Sequence, residues 1–150
     1  MRTTRQWIPV GGLVATIAIA SYMAMQLNGQ AAAPAADFTK AVTAQVRDAQ
    51  GQLVLQGQFM EPVEEDGGLE RRATLEQTGV DPDAKGDAEV EFTKTLPVEQ
   101  EVEFSATNLQ PGMTFTFVID GIDVASAVSD SRGRAEVELD VSMPGAAPSK

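Results

Sequence analysis

Metal binding, proton transfer and nucleophilic attack need particular side chains, and in this chain carboxylates are nearly the only candidates. The 150 residues hold 22 Asp and Glu, 11 Lys and Arg, no His and no Cys. The most regular acidic spacing is Asp81-Pro82-Asp83-Ala84-Lys85-Gly86-Asp87, with Glu89 two residues on. Acids at positions one, three, seven and nine and Gly at six imitate a calcium loop, where hard oxygens converge around a sharp glycine turn. Two departures count against it. Lys85 puts a cation where a ligand belongs, and position twelve, which should be a bidentate acid, is Phe92. Asp81, Asp83, Asp87 and Glu89 therefore form a weak calcium candidate. An acidic hairpin turn built on Asp, Pro and Gly is the plainer reading, and no other cofactor is expected.

Two further acidic groups stand out. Glu61 to Asp66 carries four acids in six residues and reads as a solvated loop. Glu89 and Glu91, Glu101 and Glu103, and Glu136, Glu138 and Asp140 each alternate with apolar residues. Each set would line the wet side of a strand, and neighbouring strands carrying them would build a like-charge patch. A carboxylate-pair hydrolase would need two acids facing across a cleft in unlike environments, and an open alternating face predicts the opposite. Without imidazole or thiol, Ser–His–Asp and Cys–His schemes are excluded, as are the usual zinc, copper and iron sites. No Ser-x-x-Lys, Gly-x-Ser-x-Gly or glycine-rich phosphate loop occurs. The expectation is a protein that is not an enzyme.

Net charge narrows the partners. The chain stands at −11, and at −13 once Arg2 and Arg5 at its start are set aside. No basic stripe offsets this, so phosphate backbones are repelled and nucleic acid is excluded as a partner.

The elements that must position these acids are strands. Period-two alternation runs through the chain, broken by turn clusters every eight to twelve residues or so, the pattern of a sandwich or barrel. Val42, Ala44 and Val46 lead to the turn Asp48-Ala49-Gln50-Gly51, after which Leu53, Leu55 and Phe59 alternate back. Leu69, Arg71, Ala73 and Leu75 suggest a strand with Arg71 on its apolar side, paired with a sheet acid, and Arg72 on the surface. Asp120-Gly121 marks a two-residue hairpin, since glycine accepts positive φ without a Cβ clash. Asp130-Ser131-Arg132-Gly133 turns the chain again, into Val137, Leu139 and Val141. The predicted fold is all-β: a small antiparallel β-sandwich of about eight strands over residues 38–143, without a helix inside it.

Ahead of it, Met1 to Trp7 is a short basic head, and no charged side chain follows from Gln6 to Ala36. A basic head, an apolar middle and a small-residue tail are the parts of an export signal, and the head stays on the cytoplasmic side. Residues 1–27 are expected to be a signal peptide or a signal-anchor helix, with residues 8–25 about long enough to cross a membrane. Residues 28–37 read as an Ala/Pro spacer and 144–150 as a flexible tail. The functional expectation is an exported, membrane-tethered interaction domain in the cell envelope, on the exported side of the inner membrane. Its partner would be an envelope protein or a second copy. A structural spacer in an envelope assembly and a carboxylate-dependent hydrolase are the alternatives.

Overall fold

The computed structural model describes residues 33–65 and 67–145. The expected leader, half of the spacer and most of the tail lie outside these residues. Nine strands follow in chain order: β1 Thr43–Asp48, β2 Leu53–Gln58, β3 Val63–Glu65, β4 Gly68–Gln77, β5 Lys85–Thr93, β6 Gln100–Thr107, β7 Thr114–Ile119, β8 Ile122–Val128 and β9 Ala135–Val141. There is no helix among the described residues, and so none long and apolar enough to cross a membrane.

All pairings are antiparallel, and the order is β8-β7-β1-β2-β4-β5-β6-β9, with β3 added beside β4. The sheet is a single, nearly closed path. β2 and β4 join over only Leu55↔Gln77 and Gln56↔Glu76, so the path narrows there between two halves, β8-β7-β1-β2 and β4-β5-β6-β9. Gly57 permits this crossing, because a Cβ there would stand 2.2 Å from the Thr74 carbonyl oxygen. Across the interior the Phe104 ring on β6 meets the Phe117 ring on β7, centroids 5.0 Å apart. Residues of both halves, among them Val46, Leu55, Val90 and Val102, fill the space between with no exposure to solvent.

Alternation explains most of this core, and bulges explain the exceptions. The β1–β2 register slips between Val46 and Arg47, which face Leu55 and Leu53. Val54 is the extra residue, and it is buried beside Leu55, while Leu53, expected inside, is half-buried. Val42 was expected in the core and is 59 % exposed, because it precedes the first strand pair. The acidic segment Glu61–Gly68, expected as a loop, contains the short strand β3, with Val63 opposite Glu70. The hairpin at Asp120-Gly121 forms as expected, with φ of 47° and 83°. The Asp120 carboxylate also accepts from the backbone N–H groups of Val42 and Thr43, fixing the entry to β1.

Residues ahead of Phe38 already pack onto the domain. Ala36 N–H donates to the Ser142 carbonyl at 3.1 Å, joining the two ends of the domain. The buried Gln100 side chain accepts from Phe38 N–H at 2.7 Å and donates to the Ala36 carbonyl at 2.8 Å. Phe38 then enters the core at 1 % exposure. A primary amide suits this place because it offers both donor and acceptor to a passing backbone.

Candidate functional site: an acidic sheet face

Register sets the site. Going across β4, β5, β6 and β9, one outward row reads Glu70, Glu91, Glu101, Asp140. The next reads Arg72, Glu89, Glu103, Glu138, and the one after it Thr74, Asp87, Ser105, Glu136. Apart from Arg71, the inward positions between them are apolar or small, such as Val90, Val102, Ala73 and Val137. The alternation that builds the core thus forces the acids onto one outer surface, and antiparallel pairing aligns them directly opposite each other. Like charges so placed destabilise a sheet by roughly 0.2–1 kcal/mol per pair.

Arg72 is the single cation in these rows. Its guanidinium forms an ion pair with Glu70, donating from Nη2 to Oε2 at 2.9 Å, and donates from Nε to Glu89 Oε2 at 3.1 Å. Glu70 itself is only 2 % exposed, although it sits on the outer side of β4. Arg72 lies on the surface as expected, its side chain 55 % exposed, but the acid pairing expected of Arg71 falls to it instead. Arg72 holds the sheet acids, whereas Arg71 donates to two carbonyls, Thr39 at 2.9 Å and Met60 at 3.1 Å. The inward Arg71 thus ties the segments before β1 and after β2 to β4.

Crowding shows in the carboxyls. Glu89 is pushed up to about 7 by burial first, then by the Glu70 charge and a hydrogen bond with Glu91, against a lowering influence of Arg72. Glu101 and Glu103 are also raised, each by burial first and then by the Glu138 charge. Carboxylate oxygens of Glu70, Glu89 and Glu91 lie within 4.8 Å of one another, as do those of Glu101, Glu103 and Glu138. Arg72 already occupies the first group. The second is three carboxylates on an open face, which concentrate cations without building the six-to-eight-oxygen cage calcium requires. Beside the Glu70–Asp140 row the surface dips into a depression of about 420 Å³, whose lining includes Glu91, Glu99, Glu101 and Gln100.

The four residues of the calcium candidate are split between two places. Asp81 and Asp83 stay in the turn, where the Asp81 carbonyl accepts from Ala84 N–H and the Asp83 carbonyl from the Asn108 amide. Asp87 and Glu89 lie on β5, facing outward, and Glu89 joins Glu70 and Glu91 instead. Sequence alternation had singled out the acids of β5, β6 and β9. It missed Glu70 and Arg72, for which the available signal was their own alternation with Leu69, Arg71 and Ala73. Comparison with protein-family models, curated proteins and solved structures finds no match to this chain.

Proposed function

We propose that this protein is an exported, membrane-tethered β-sandwich domain that acts without catalysis, docking a basic partner of the cell envelope on its acidic sheet face. The observation that supports the reading is the register: eight positions in two adjacent outward rows carry seven acids and one arginine. Folding does not require this. Polar neutral residues would keep the same alternation without the cross-strand repulsion, so the acids serve something other than the fold. A cationic surface relieves that repulsion on contact, and charge complementarity also speeds encounter. The same face repels its own copy, which argues against stacking of identical domains through it.

The chain enters the domain beside the acidic face. Gln100 clamps the chain at Ala36 and Phe38 and also lines the acidic depression, so the described segment ahead of β1 enters the domain at that end of the sheet. In this reading, residues 8–25 lie in the membrane and the spacer of residues 28–37 joins them to the domain.

A decalysine peptide titrated against the full-length chain in non-ionic detergent tests the docking. Binding is expected at low salt, weakening as ionic strength rises. The triple variant Glu101→Gln, Glu103→Gln, Glu138→Gln should lose it, and the loop variant Glu61→Gln, Glu64→Gln should keep it. Equal loss in both variants would reduce the effect to net charge and sink the proposal.

A further inference from the structure

The groups facing Glu89 come from every strand packed around it. β4 contributes Glu70 and Arg72, β5 itself Asp87 and Glu91, and β6 Glu101 and Glu103. Beyond β6, β9 adds Glu136, Glu138 and Asp140, with Arg134 3.8 Å from Glu136 at the margin. Repulsion among these acids exists only while neighbouring carboxyls are both ionised. One proton shared between two of them turns repulsion into a charge-assisted O–H···O⁻ hydrogen bond. The geometry allows it: Glu89 is in hydrogen-bond contact with Glu91 and Glu101 with Glu138, each pair inside a group of three carboxylates.

We propose that the outer face of β4, β5, β6 and β9 is a proton-operated brace, loosened by repulsion when ionised and tightened by shared protons on mild acidification. This is independent of the docking reading, because it concerns the free domain and needs no partner.

The direction follows from proton linkage. Glu89, at about 7 in the folded state against an ordinary 4.5, holds its proton where the unfolded chain has lost it. Folded stability therefore rises as pH falls through 7, is fully gained below 4.5, and is lost again as pH climbs through 7. Glu101 and Glu103 are shifted the same way. Groups with the opposite sign act elsewhere on the scale. Hydrogen bonds hold Asp37, Glu64 and Asp130 below the usual carboxylate range, the first through Thr39, the second through Lys94 and the third through the backbone of Arg134 and Arg132. Their contributions are lost only as pH falls below about 4, beneath the window of interest.

Thermal melts of the full-length chain in non-ionic detergent, followed by far-ultraviolet circular dichroism from pH 8 to 5, test the brace. The melting temperature is expected to rise by roughly 5–10 °C toward pH 5. Glu89→Gln should raise the pH 8 value and flatten the slope. Glu76→Gln removes one charge at an exposed position outside the acidic rows and should leave the slope unchanged. A melting temperature that stays flat or falls on acidification overturns the proposal. So does equal flattening by Glu76→Gln, which would assign the effect to net charge. Carbon-13 titration of the Glu89 carboxyl gives an answer even if a variant fails to fold, and a midpoint near the ordinary 4.5 would overturn the proposal directly.

Discussion

The two halves of the sheet share an interior and differ outside. On β8-β7-β1-β2 the outward neighbours are mainly uncharged and satisfy one another: Thr116 and Ser126 hydroxyls meet at 3.0 Å, and the cationic Arg47 donates to the neutral Gln45 at 2.7 Å. On β4-β5-β6-β9 the corresponding positions hold carboxylates in register, with Arg72 the one cation in the two most acidic rows. Both halves present the same apolar alternation to the core, so the core does not explain the difference. The neutral half shows what this fold accepts at outward positions. Against that standard the acidic half is an addition to the fold, made at some cost in stability.

The largest expected effect breaks what the halves have in common. Phe117→Ala removes the neutral half's side of the Phe104–Phe117 contact and leaves a cavity at a fully buried site. A loss of about 3–5 kcal/mol is expected in urea unfolding, and Phe104→Ala should match it from the acidic side. An unequal pair would mean that one half holds its structure without the other.

Next comes the acidic half's own support. Arg72→Ala strips the counter-charge from Glu70, which is 2 % exposed, and from Glu89. A loss of about 1–3 kcal/mol is expected at pH 8, less than for a fully buried pair because the arginine is itself half in solvent. The loss should shrink at pH 5, where protonated carboxyls need the cation less. An equal loss at both pH values would show that Arg72 acts by packing alone.

The smallest effects should differ in sign between the halves. Glu103→Gln relieves cross-strand repulsion and should gain about 0.2–1 kcal/mol at pH 8. Thr116→Val forfeits a surface hydrogen bond to Ser126 and should stay within about 0.5 kcal/mol of the parent. Denaturant midpoints compared at constant slope would read both. A destabilising Glu103→Gln would mean that the acidic rows are mutually supporting at neutral pH and would remove the contrast.

Much of the fold was legible locally. Side chains alternate across a strand, so Val90, Val102 and Val137 declared their burial, and Glu91, Glu103 and Glu138 their exposure, without any knowledge of neighbours. Asp120-Gly121 declared its hairpin because only a few residue types accept positive φ. Where local reading failed, a non-local contact had intervened: a bulge turned Val54 inward, and a short edge pairing made β3 from an acidic run. Arg71 was given the wrong partner, and Arg72, correctly placed on the surface, was given none, because Thr39, Met60 and Glu89 are distant in sequence.

The sequence by itself determined the strand periods, the turns, the acidic charge and the absence of thiol and imidazole chemistry, since each is a property of a residue and its near neighbours. Only the tertiary structure decided which strands adjoin. β9 pairs with β6 across two intervening strands, and that pairing sets Glu138 and Asp140 against Glu103 and Glu101. Alternation tells which way a side chain faces and nothing about what stands beside it. Strand order decides that, through the best closure of the whole core, and here it gathered scattered acids into one charged surface.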